Sequence, residues 1–103
     1  MKNSIGIYDN SFQLIINSIQ KIPEIEKAII YGSRALGNYK KGSDIDIALV
    51  GNNITFEIVS ALSAKLNEEL PIPYDIDLIN YNTISNKDLI EHINQYGKEI
   101  FCR

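Results

Sequence analysis

Asp44 and Asp46 open an apolar run, Ile45 to Val50, two positions apart. Aspartate is depleted in strands, and alternate strand residues share a face. Both carboxylates therefore point one way while Ile45 and Ile47 point the other. Two like charges on one face repel unless a cation lies between them, and a divalent metal is the obvious candidate. Upstream, a shorter apolar run from Ala28 to Tyr31 breaks at Gly32-Ser33, with ten residues between Ser33 and Asp44. Downstream, Asp75 and Asp77 repeat the alternating pattern around Ile76.

Three carboxylates on neighbouring strands form an oxygen-only set, which suits Mg²⁺ better than zinc. Mg²⁺ usually completes its shell with waters and substrate phosphates, so the set points to a nucleotide. Gly32-Ser33 fits that expectation. Glycine lets the backbone approach a phosphate closely, and N–H groups opening a helical turn attract anions. The Ser33 hydroxyl adds a donor, and Arg34 is expected to neutralise phosphate charge. Alone, a Gly-Ser dipeptide is more often a plain turn and an Asp-x-Asp a solvated strand face. Their fixed order and spacing, with a further strand aspartate after a helix, is the informative signal.

The elements that must position these residues follow from periodicity and punctuation. A first helix is expected from Ser11 to Lys21, ended by Pro23. Glu26 to Tyr31 reads as the first strand and Ser33 to Gly37 as a helical turn. Asp44 to Val50 is the second strand. Ile54, Ile58, Leu62, Leu66 and Leu70 recur every four residues, so one helix is expected from Thr55 to Leu70. Tyr74 to Tyr81 is the third strand, and Asn86 caps a last helix with Gly97 just past its end. The short first connection favours an antiparallel pair, and the helix between strands two and three favours a parallel crossover. The expected class is α/β, bordering on α+β: a small mixed sheet flanked by helices.

At 103 residues with 45% hydrophobic content, residues 1–103 are expected to form one domain with a modest core. A net charge of −3 offers no basic field for nucleic acid. There is no membrane-spanning run and no leader pattern. Cys102 is the lone cysteine, which suits a reducing cytoplasm, and is read as an inert thiol. His92, the only histidine, is read as solvent-exposed on the polar face of the last helix. The six tyrosines are read as core or rim residues, with Tyr39 the one placed to touch a nucleotide.

Gly32 to Gly37 (G-S-R-A-L-G), Gly42 to Asp46 (G-S-D-I-D), and the third-strand aspartate followed by a helix and G-K-E-I-F resemble the polymerase-beta-like nucleotidyltransferase superfamily. The chain is most similar to its minimal nucleotidyltransferase (MNT) members, the antitoxins of HEPN–MNT toxin–antitoxin pairs. The resemblance runs from Ile25 to the end. It implies the nucleotidyltransferase fold, metal binding and catalysis by Asp44, Asp46 and Asp77, and nucleotide binding by Gly32, Ser33, Arg34 and Ser43. It implies AMP transfer from ATP, with Mg²⁺ as two ions, to a tyrosine of a HEPN ribonuclease partner in a homo- or hetero-oligomer. Asp75 shares the expected face of Asp77 and leaves the third carboxylate open between them. Asn80 stands where many relatives carry another acid. Two other functions fit the same residues. One is an antitoxin that neutralises its partner by binding alone. The other is a small-molecule nucleotidyltransferase, disfavoured because the chain has no residues for an acceptor-binding domain.

Overall fold

The computed structural model describes residues 5–103; residues 1–4 of the expected domain lie outside the described residues. Four strands form one sheet in the order β3-β2-β1-β4. β1 (Lys27–Tyr31) pairs antiparallel with β2 (Ile45–Val50), which pairs parallel with β3 (Ile76–Asn80). The mixed sheet and both strand directions are as expected from the connection lengths. β4 (Lys98–Cys102) pairs antiparallel with β1 and was not anticipated. Its five residues, K-E-I-F-C, show no clean alternation, and a bulge between Ala28 and Ile29 shifts its register. Cys102 ends this strand, exposed.

α1 (Asp9–Gln20) begins two residues earlier than expected. It places Ile15 and Ile19 against Ala28, Ile30, Ile45, Ile47, Leu49 and Ile76 on one face of the sheet. α3 (Phe56–Ala64), capped by the Thr55 side chain, adds Leu62 to the same cluster. The long helix expected to Leu70 changes winding at Lys65, and Lys65–Glu69 is π-helical. Leu70 N–H reaches back five residues to the Lys65 carbonyl at 3.1 Å. The wider turn buries Leu66 and brings Asn67 onto the outer edge of β3. There its amide accepts from Ile76 N–H (2.8 Å) and donates to Ile76 C=O (2.9 Å), replacing a strand neighbour.

The opposite face carries α4 (Lys87–Tyr96), whose Asn86 cap accepts from Asp88 and Leu89 N–H as expected. Ile93 is buried there, outside the main cluster. Gly97 follows α4, but its φ of −61° needs no glycine. The requirement is space: a Cβ would run into the Ile93 carbonyl and, at 2.5 Å, into Ile29. α2 (Ser33–Leu36) is a single turn closed by Gly37 in the left-handed region. Among the described residues, no helix is long and apolar enough to cross a membrane.

Candidate active site

β1, β2 and β3 bring one residue each into a row on the α4 face. The register pairs Tyr31 with Asp46, and Asp46 with Asp77, and paired residues on adjacent strands share a face. Asp44 lies just before β2 on the same side as Asp46. Of the two third-strand candidates, Asp77 is the one opposite Asp46. Asp75 lies before β3, where its carbonyl accepts from Ile45 N–H at 2.9 Å.

Charge and burial confirm the crowding. The Asp46 carboxyl is held above the usual carboxylate range, first by burial and then by Asp77 and Asp44, with Arg34 opposing. The Tyr31 phenol is pushed up to about 12, first by burial and then by Asp46 and Asp77. The carboxylates thus feel one another's charge. Yet among the described residues no three His, Cys, Asp or Glu side chains are gathered closely enough to hold an ion as they stand. The donor set is all carboxylate oxygen, and a hard divalent cation would offset the carboxylate repulsion that adds to burial in raising Asp46, so the residues fit Mg²⁺.

Gly32 joins β1 to α2 at φ 78°, ψ −152°, a conformation open in practice only to glycine. A Cβ there would lie 2.5 Å from an Asp46 carboxylate oxygen. The glycine turn and the aspartate pair therefore touch, although twelve positions separate Gly32 from Asp44. Gly32 N–H is already engaged, donating to His92 Nε2 at 2.9 Å. This corrects the expectation of a solvent-exposed His92. The residue is partly buried on α4 and packs against Tyr31 and Tyr96. Periodicity alone could not reveal this, because a histidine on a polar helix face carries no sign of a partner sixty residues away.

Arg34 also departs from expectation. It is 2% exposed, and its guanidinium donates to the carbonyls of Ser43 (2.7 and 3.3 Å), Ile5 (3.0 Å) and Gly6 (3.3 Å). Tyr39 and Tyr74 stack on it at 5.0 and 4.9 Å. The expected phosphate ligand is thus taken up by backbone and aromatic partners, and Tyr39, expected near a nucleotide, covers it. Ser43 is similarly occupied: its hydroxyl accepts from Lys40 N–H at 2.8 Å. Ser33, partly exposed at the start of α2, has no side-chain hydrogen bond among the described residues. Asn80 does local work, donating to the Ile54 carbonyl and accepting from Asn82 N–H.

A row of acids beside a glycine-serine turn, on a mixed sheet with a helical crossover, defines a nucleotidyltransferase class of site. Residues 13–103 match the family model described as polymerase beta, nucleotidyltransferase, and the chain belongs to that family. A protein adenylyltransferase homologue of Methanocaldococcus jannaschii is 38% identical over 79 residues, covering 68% of this chain and 65% of the relative. A second from the same organism is 34% identical over 76 residues, covering 74% and 63%. The chain thus spans just under two thirds of the length of these relatives. Its fold matches an MNT antitoxin in complex with a tri-AMPylated HEPN toxin from Shewanella oneidensis, with TM-score 0.68, 22% identity, and 91% and 71% coverage. The MntA–HepT toxin–antitoxin structure gives 0.69, 21%, and 93% and 74%.

Proposed function

We propose that this chain is an Mg²⁺-dependent protein adenylyltransferase that moves AMP from ATP onto a tyrosine hydroxyl of a HEPN-type toxin, acting as its antitoxin in the cytoplasm. The observation that carries the reading is the Asp46–Asp77 pairing with Gly32 seated against the Asp46 carboxylate. Family membership supports nucleotidyl transfer. The names of the M. jannaschii relatives support a protein acceptor, and the AMPylated complex on the same fold supports the partner.

Asp44, Asp46 and Asp77 would hold Mg²⁺, which when bound neutralises phosphate charge and favours in-line displacement. Ser33 offers its hydroxyl to the phosphates, and Gly32 allows their close approach. Asp77, exposed at the edge of the sheet, accepts the proton as the tyrosine oxygen bonds to the α-phosphorus. The bond from that phosphorus to the bridging oxygen breaks, and pyrophosphate leaves. Arg34 stabilises the turn from behind rather than binding phosphate, and Ser43 shapes the loop.

Intact-mass spectrometry of a HEPN-type partner, co-expressed with this chain or with its Asp44→Asn/Asp46→Asn variant, tests the proposal. Mass gains in whole AMP units only with the unaltered chain are expected. A stable complex without mass gain in either sample would make the protein a neutraliser by binding.

A further inference from the structure

The peptide N–H of Gly32 sits where neither neighbouring element can use it. The β1 ladder ends at Tyr31, and the first N–H groups of a helix have no partner within it. His92 supplies the missing acceptor from α4, with Nε2 at 2.9 Å. An imidazole nitrogen that accepts carries no proton, so the ring donates only through Nδ1. Its aim is set by two aromatic neighbours. Tyr31 meets it edge-on, centroids 6.3 Å apart and planes at 78°, and Tyr96 lies at 5.6 Å and 45°.

We infer that His92 is a positioning residue for nucleotidyl transfer: by holding the Gly32 peptide, it fixes the Gly32-Ser33 turn against Asp46. The inference rests on the function proposed above. Its consequence is a division of labour along the turn. Gly32 N–H is engaged by the histidine and withheld from phosphate, leaving the Ser33 hydroxyl to meet the nucleotide. Gly32 also lies against the Asp46 carboxylate, so a slip of this one peptide displaces the phosphate donor and crowds the metal-binding acid together. The histidine acts through Gly32 and touches no reacting atom.

Two substitutions separate the acceptor from the ring. His92→Phe keeps an aromatic ring between Tyr31 and Tyr96 but removes the acceptor. His92→Gln removes the ring but can return an amide oxygen to the place of Nε2. Binding of AMP-PNP with Mg²⁺, measured calorimetrically on the full chain, should weaken about tenfold in His92→Phe and stay within about threefold of wild type in His92→Gln. In transfer assays the Phe variant should raise KM for ATP more than it lowers kcat. Its Gly32 amide should exchange with solvent faster while Ile30 is unchanged, an effect that general loosening would not confine to one peptide. Wild-type affinity in the Phe variant, or equal loss in both variants, would overturn the role of His92. Failure of the unaltered chain to bind AMP-PNP would instead overturn the nucleotidyl-transfer reading, and this inference with it.

Discussion

Asp44-Ile45-Asp46 and Asp75-Ile76-Asp77 are the same tripeptide on neighbouring parallel strands, one inside the sheet and one at its edge. Both isoleucines are buried, as alternation requires. The acids differ. Asp46 has Tyr31 on one side and Asp77 on the other, is partly buried, and carries a raised pKa. Asp77 has a neighbour on one side only and is exposed. Asp75 precedes the strand. Identical chemistry is thus given three settings by position alone: a crowded central acid, an exposed acid on the edge strand and an exposed acid just ahead of it.

Substitution should expose that ranking. Asp46→Asn is expected to lower AMP transfer about 1,000-fold, Asp77→Asn about 100-fold, and Asp75→Asn by less than about threefold. Rates with co-expressed partner, followed by mass spectrometry, provide the check. Equal losses at Asp75 and Asp77 would erase the distinction drawn from register.

The next largest effect concerns the glycine seated on the inner acid. Gly32→Ala combines a strained backbone with a contact on the Asp46 carboxylate, and is expected to cost about 2–3 kcal/mol in urea unfolding. Gly42→Ala meets only the strain, since a Cβ there finds open space at φ 86°, and should cost about 1 kcal/mol. The edge strand has its own dependence. Asn67→Ala removes both hydrogen bonds to Ile76 and should cost about 1–2 kcal/mol, with Asp77 losing its alignment and transfer falling alongside.

The smallest effect has the opposite sign. Between the ordinary carboxylate pKa and its raised folded value, folded Asp46 keeps a proton that the unfolded chain has released. Stability contributed by this group is therefore present at lower pH and lost as pH rises through that interval. Without metal at neutral pH, Asp46→Asn should raise the melting temperature by about 2–4 °C, solvent screening keeping the gain modest. Asp75→Asn should leave it unchanged. Tyr31 obeys the same rule at alkaline pH: its phenol, pushed up to about 12, makes stability fall as pH rises from 10 toward that value.

Much of this architecture was legible in the residues. Ile54, Leu62 and Leu66 announced the helical crossover, and two Asp-x-Asp runs announced strands with a chemical face. What escaped had no local signature. β4 is held by pairing to β1 rather than by an alternating pattern of its own. The π-helical turn meets its partner outside the helix, where Asn67 bonds the edge of β3 at Ile76. Arg34 follows Gly32-Ser33 in sequence, where it reads as a phosphate ligand, but α2 buries it and its guanidinium is spent on carbonyl oxygens. His92 was legible only as a polar residue on an amphipathic helix; its partner lies on another element.

Arg34 and Ser43 also make the distance between the two motif halves metric. Their hydrogen bonds close residues 34 to 43 into a ring, and the same guanidinium ties that ring to Ile5 and Gly6. Residues on the outside of the ring, Asn38, Lys40 and Lys41, are exposed and free to vary in identity. Their number is not free. An inserted residue would open the ring or shift Asp44 along its strand, and a shift of one position turns both acids to the opposite face of the sheet. The loop is therefore a gauge, permissive in composition and strict in length.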